Sequence, residues 1–197
     1  TPKPSSAASD VYKRQANAIL DKAGYKKDAN GVRMKAVLDI IPYGEDWRRA
    51  GEYLKQVMGD IGIQLELRYE DVPTWLKRVY HNYDFEMNVN YFYQLPDPVL
   101  GVHRHYGTDQ IRKGTHFVNS SRYSNPKLDA LLDSGAGEPD AGKRTAKYKE
   151  IQQILAEDMP VVNLFELEFL VVYNTKLKGV YDSAMGAYGS FREGYID

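Results

Sequence analysis

The chain has 197 residues, is 43% hydrophobic and 27% charged, and carries a formal net charge of −1. That balance gives no long-range field to gather nucleic acid or an anionic membrane surface, so neither is an expected partner. Cysteine is absent, which removes disulfides, thiolate metal sites and cysteine nucleophiles, while 16 tyrosines supply apolar faces with polar tips suited to the walls of wet binding sites. No apolar run approaches the ~20 residues that span a bilayer, and the N-terminus lacks the charged, apolar and small-residue blocks of a signal peptide.

The opening TPKPSSAASDVYKRQ is polar, rich in Ser and Pro and without periodicity, so residues 1–15 are expected to be a leader outside the fold. A short helix is predicted over 16–25, closed by Gly24, and Asp28-Ala29-Asn30-Gly31 makes a turn. A buried strand follows over 34–41, ended by Pro42 and Gly44. Asp46 is the expected cap of a helix over 46–59, with Trp47, Ala50, Tyr53, Leu54 and Val57 on its apolar stripe. Residues 63–69, IQLELRY, alternate as a second strand. A helix over 72–81 has Pro73 in its first turn, where proline is tolerated, and 84–91 alternates as a third strand. This order predicts a sheet with crossover helices.

The second half changes character. Residues 98–123 are rich in Gly and His and weakly periodic, the mark of an ordered functional loop rather than an element. Asn125-Pro126 opens a helix to about residue 134, a linker covers 135–142, and a longer helix spans 143–158 with Lys143, Arg144, Lys147 and Lys149 on its wet side. Pro160 forces extension, and 161–173 reads as two short strands or one bent one. Residues 175–197 form a tail with little pattern.

The stretch YDFEMNVNYFYQLPDPVLGVHRHY, residues 83–106, joins a strand, an aromatic cluster and a turn. The strand must stop near Tyr91, because Pro96 and Pro98 cannot continue a ladder. The region beyond the carboxyl end of a strand is where open α/β sheets bind ligands. The candidate ligand-binding residues are therefore Tyr91, Phe92 and Tyr93 as stacking faces, Gln94 and Asp97 as polar groups, His103, and Arg104 as a bidentate carboxylate clamp. Trp75, alone on an amphipathic helix, is read both as core and as a ligand wall.

His103, His105 and His116 raise a metal reading, but His-x-His places both rings on one face only in a strand, and no Cys or close carboxylate completes a tetrahedral set. No metal and no cofactor are expected. Glu166 and Glu168 are the best carboxylate pair for hydrolysis, since period two puts both on one strand face, but a solvated strand face explains them better. There is no Gly-rich phosphate loop, no G-x-S-x-G and no H-E-x-x-H, and the chain is read as a binding protein rather than an enzyme. Two alternatives are a glycoside-type hydrolase using Glu166 with Glu168 or Asp97, and a ligand-sensing module without transport.

The succession AILDKAGY, DANGVR, GIQLELRYEDVPTWLKR, YDFEMNV, LPDP, YSNPKLDALLDSG and KRTAKYKEIQQILAEDMPVVNL resembles the C-terminal part of extracellular solute-binding protein family 5, the peptide-type binding proteins of ABC importers. The resemblance covers roughly 16–174. It implies an α/β fold of the periplasmic-binding-protein-like (type II) kind, one lobe with a mixed sheet flanked by helices. Residues 175–197 would return toward a first lobe that the family's longer chains contain. It further implies a monomer, periplasmic or extracellular, that captures a peptide, modified peptide, sugar or similar small solute between two lobes and delivers it to an ABC permease in the membrane.

The resemblance also places Trp75 where the family tends to have a tryptophan before the third strand. The aspartate with which the family often pairs a peptide's α-ammonium falls here at Tyr93 or Gln94. A carboxylate on an ammonium is a charge-assisted bond of about 1.5–3 kcal/mol, against roughly 0.5–1.5 for an amide. Little preference for a free α-ammonium is therefore expected, and sugars, polyols, amides or modified peptides fit at least as well.

Overall fold

The computed structural model describes residues 6–93, 95–168, 171–180 and 189–197. These residues form two compact units. One comprises the chain up to Tyr91 together with Lys113–His116, and the other comprises Phe92–Arg112 and the chain from Phe117 on. The single lobe expected over 16–174 thus runs through both units, and the division falls at the end of the third strand.

The first unit is built on a parallel sheet. Strand β1 (Met34–Ile40) lies between β2 (Ile63–Tyr69) and β3 (Met87–Val89), in the order β2-β1-β3. Met34 pairs with Ile63 and Ile40 with Tyr69 on one side, while Leu38 and Ile40 pair with Met87 and Val89 on the other. Parallel neighbours require crossovers, and the helices α2 (Glu45–Asp60) and α3 (Val72–Leu76, continued as a π-helical turn over Lys77–Asn82) supply them. The predicted β–α order is therefore present, and all pairings in this sheet are parallel rather than mixed.

Side chains enforce several boundaries. Helix α2 starts one residue before the expected Asp46, with Gly44 as its cap residue at φ 114°, a conformation that only glycine adopts readily. Asp71 caps α3 by accepting from the Thr74 N–H at 2.8 Å. Strand β3 is shorter than the predicted 84–91 because the residues around it bond sideways. Asp84 pairs with Arg78, Glu86 Oε2 accepts from the Val37 N–H at 2.6 Å, and Asn90 Oδ1 accepts from the Tyr91 N–H at 2.9 Å. Leu38, Ile40, Ile41, Leu65, Val79 and Val89 fill the core, and Gly51 of α2 lies against Ile40 so closely that a Cβ there would stand 2.7 Å from its Cδ1.

Helix α1 (Ser6–Lys22) begins ten residues before the predicted Ala16, so the expected leader boundary at residue 15 falls inside a helix. After Pro4 the segment contains no Pro or Gly to stop one. Lys13 Nζ meets Asp60 Oδ2 of α2 at 2.5 Å. Arg33 holds the end of α1 more firmly. Its guanidinium, with the side chain 2% exposed, donates to Asp21 Oδ1 at 2.6 Å, Asn17 Oδ1 at 2.8 Å, the Ile61 carbonyl at 2.9 Å and the Tyr25 carbonyl. Arg33→Ala is expected to cost about 2 kcal/mol, and since each kcal/mol moves Tm by roughly 2–4 °C in a chain of this size, a fall of about 4–8 °C should appear by calorimetry. A change under a degree would mean that α1 is held by its own propensity.

The second unit is helical. Asn125 caps α5 (Pro126–Ala136) by accepting from the Lys127 and Leu128 N–H groups, and Asp140 caps α6 (Ala141–Asp158) by accepting from Lys143 N–H at 2.8 Å. Leu128, Leu132, Ile151 and Ile154 form the shared core, with Val102, Tyr106, Tyr123 and Tyr148 against it. The predicted loop 98–123 is partly helical, a π turn over Val99–His103 passing into α4 (Arg104–Tyr106).

The strands predicted over 161–173 do not form among the described residues. Val162 and Val172 are exposed at 66% and 96%, and without a neighbouring strand an apolar run gains nothing by extension. The patternless tail instead contains a two-stranded antiparallel pair, β4 (Leu177–Lys178) with β5 (Tyr195–Ile196).

Candidate functional site

Strands β1 and β3 run parallel, so both end at the same edge of the sheet, and an aromatic cluster stands there. The ladder extends one bond beyond β1, from the Ile41 N–H to the Val89 carbonyl at 3.2 Å, and the chains then diverge. Tyr43 follows β1, Trp47 lies in the first turns of α2 and Tyr91 follows β3. The Tyr91 ring stacks on Trp47 with centroids 5.4 Å apart and planes at 29°, and meets Tyr43 edge-on at 5.8 Å and 67°. Trp47 is buried, Tyr91 half-buried and Tyr43 exposed, so the cluster grades from core to solvent. Asn90 beside it donates from Nδ2 to the Tyr80 hydroxyl at 2.7 Å. Apolar faces with an adjacent amide and phenols are what a site for a neutral, partly apolar solute requires.

Of the residues singled out from sequence, only Tyr91 belongs to this cluster. Trp75 is wholly buried, its ring edge-on to Tyr80 at 5.8 Å, which puts it in the core of the first unit rather than at a surface. Phe92, Tyr93, Asp97, His103 and Arg104 lie in the second unit, and Gln94 lies outside the described residues.

Phe92 packs on His105 with centroids 3.7 Å apart. Burial, reinforced by the Arg104 charge, pushes the His105 imidazole down to about 3, so it is neutral through the physiological range. Asp97 accepts from Arg144 Nη2 at 2.7 Å and from the Val99 N–H at 2.9 Å, and the arginine holds its carboxyl below the usual range. It is thereby committed within its own unit. His103 Nε2 stands 3.5 Å from Asp109 and 3.8 Å from Asp133. The Arg104 Nε atom is buried with no hydrogen-bond partner among the described residues. Glu166 and Glu168 are exposed and lie on no strand, so the period-two spacing that would fix them as a hydrolytic pair is absent.

Sequence reading passed over Tyr43 and treated Trp47 as a stripe residue. The signal was present. The carboxyl-end rule was applied to the third strand alone, whereas the β1–α2 turn IPYGEDW follows a parallel neighbour and opens at the same edge.

Asp39 was also missed. It is the penultimate residue of β1, fully buried, paired in register with Arg68 on β2 and Asn88 on β3. Arg68 Nε approaches its Oδ1 at 3.4 Å and Arg78 Nε at 3.8 Å, while Arg78 also binds Glu70 at 2.8 Å and Asp84. Burial pushes the Asp39 carboxyl up to about 6 against the downward pull of Arg68 and Arg78, with Glu70 and Asp84 adding to the rise. An unfolded aspartate titrates near 3.8, so between the two values the folded chain holds a proton that the unfolded chain lacks. Stability from this group therefore falls as pH rises from about 4 to about 6 and is level above. His105 acts oppositely, since its buried neutral ring must charge on unfolding in acid. The difference between Asp39→Asn and the parent isolates the first effect. The variant should gain relative stability between pH 4.5 and pH 7 in urea titrations, and a difference independent of pH would show that Asp39 is ionised throughout.

The fold is that of the periplasmic binding proteins. It is similar to HbpA2 from Haemophilus parasuis, with a TM-score of 0.72 at 20% identity over 93% of this chain and 35% of that one. It is also similar to the periplasmic oligopeptide-binding protein of an oligopeptide ABC transporter from Thermotoga maritima, solved with mannohexaose bound, with a TM-score of 0.66 at 24% identity over 75% of this chain and 29% of that one. By sequence the chain is 25% identical over 175 residues to di/tripeptide-binding protein 1 of Pseudomonas aeruginosa (strain UCBPP-PA14), covering 89% of this chain and 31% of the relative's length. No protein-family model matches the chain. The chain is thus similar in sequence to a di/tripeptide-binding protein and in fold to periplasmic binding proteins, and it spans about a third of the length of the relatives it matches.

Proposed function

We propose that this chain forms part of the solute-binding component of an ABC importer, working outside the cytoplasmic membrane and handing its solute to a membrane permease. The observation that carries this reading is the Tyr43–Trp47–Tyr91 cluster at the carboxyl edge of a parallel sheet, in a chain whose relatives are peptide-binding proteins. Capture is the mechanism: aromatic faces stack on the solute, Asn90 and neighbouring neutral groups orient it, and closure of two lobes buries it. No bond is made or broken. Phe92, Tyr93, Gln94, Asp97, His103 and Arg104 are kept as further candidate ligand-binding residues, and Trp75 as core of the first unit.

Oligosaccharides and modified peptides belong in the substrate class beside peptides. Stacked rings with neutral donors suit sugar faces, and a structural neighbour holds mannohexaose. Titration calorimetry with a di- or tripeptide, its N-acetylated form and a manno-oligosaccharide tests this. Binding of at least one is expected, with free and acetylated peptide alike within about threefold. Binding of none, or turnover of a chromogenic glycoside, would overturn the reading.

A further inference from the structure

The two histidines that the solute reading leaves unused form a second candidate site. His81, in the π-helical turn that follows α3, and His116 are 35 residues apart in sequence, yet their Nε2 atoms stand 3.1 Å apart and their ring centroids 5.3 Å apart. Both are exposed. Two imidazole nitrogens bound at about 2.0–2.1 Å to one ion are about 2.9 Å apart at a right angle and about 3.3 Å apart at the tetrahedral angle. The observed separation lies between these values; the 5.3 Å centroid spacing has the two nitrogens facing each other, so each ring turns about its side-chain bonds to aim its lone pair at one ion.

The surroundings hold the rings in that relation. The Gly114 N–H donates to the Tyr80 carbonyl at 2.8 Å, which ties the Lys113–His116 segment to the residue preceding His81. The wholly buried Tyr80 ring lies 5.9 Å from the His116 ring, and its hydroxyl is anchored by Asn90. The scaffold around the pair is therefore in place before any ion arrives.

We propose that His81 and His116 bind a divalent transition ion of the copper, nickel and zinc group, through Nε2 of each ring. With both rings neutral, the ring that donates the present hydrogen bond shifts to its Nδ1–H tautomer, and both Nε2 lone pairs turn to the ion with no net proton lost. Among the described residues no third His, Cys, Asp or Glu joins the pair. The remaining positions fall to water or to a donor group brought by a solute. Imidazole donors select this group over Mg²⁺ and Ca²⁺, and the divalent order should be Cu²⁺ tightest. Protonating either ring removes a lone pair, so binding weakens in acid.

The test is thermal unfolding of the untagged chain with Cu²⁺, Ni²⁺, Zn²⁺ or Mg²⁺. A transition ion at a hundredfold excess over its Kd should raise Tm by roughly 5 °C or more, and Mg²⁺ should not. His81→Gln and His116→Gln should each abolish the rise, and His103→Gln should keep it. Because those variants could alter the turn, the electron paramagnetic resonance spectrum of Cu²⁺ on the parent chain provides a second readout, expected to show coupling to two imidazole nitrogens. No Tm rise with any of the three ions, a rise that survives both substitutions, or a copper spectrum without imidazole coupling would each leave the pair as a hydrogen bond and overturn the site. Solute binding enters none of these readouts, so this result stands apart from the transport reading.

Discussion

Replacing Trp75 by alanine is expected to lower stability by about 3–5 kcal/mol, the range for removing a large aromatic from a close-packed core. The indole is fully buried and packs edge-on to Tyr80, itself fully buried. Trp75→Phe should cost less than half as much. It keeps most of the ring and removes an indole N–H that has no acceptor among the described residues. Urea denaturation of both variants measures the difference. A loss below about 1 kcal/mol for alanine, together with weakened solute binding, would place Trp75 at the ligand wall instead.

Tyr91→Ala is expected to weaken solute binding about tenfold or more while costing only about 1–2 kcal/mol of stability. The ring is half-buried and gives one face to Trp47 and an edge to Tyr43. A stacked aromatic pair contributes roughly 0.5–1.5 kcal/mol beyond the area it covers, and a solute that uses the same ring loses a comparable contact, with 1.4 kcal/mol equal to tenfold in affinity. Phenylalanine at the same position should keep the stacking and lose only what the hydroxyl provides. Calorimetry that finds Tyr91→Ala binding like the parent would remove this cluster from the site.

The elements of the first unit were legible in the sequence because its burial follows simple periods. Strand β2 coincides with the alternating IQLELRY, and α2 with the predicted run, of which Trp47 is buried and Tyr53 stands exposed. Legibility failed where side chains replaced backbone partners. Glu86 and Asn90 bind amides that an unbroken ladder would have paired, which shortened β3, and α1 starts early because no Pro or Gly after Pro4 stops a helix and Lys13 pairs with Asp60, an anchor that no apolar stripe announces. The apolar run after Pro160 failed differently, since strand propensity without a partner strand is not enough to make a strand. In the candidate site, Tyr91 was visible from its strand and Trp47 was hidden by its dual use, buried like a stripe residue yet stacked at the sheet edge. The pairing of His81 with His116 crosses a long loop and leaves no local pattern.

The chain contains two tryptophans, which gives a direct readout of where solute binds. In a ¹H–¹⁵N spectrum the two indole N–H signals are assigned with Trp47→Phe and Trp75→Phe, and a bound peptide or oligosaccharide is titrated in. Solute stacked on Tyr91 changes the ring currents over Trp47, so that signal should move saturably while the core Trp75 signal stays within the noise. Movement of Trp75 alone, or saturable binding that shifts neither indole, would contradict a site at the carboxyl edge of β1 and β3.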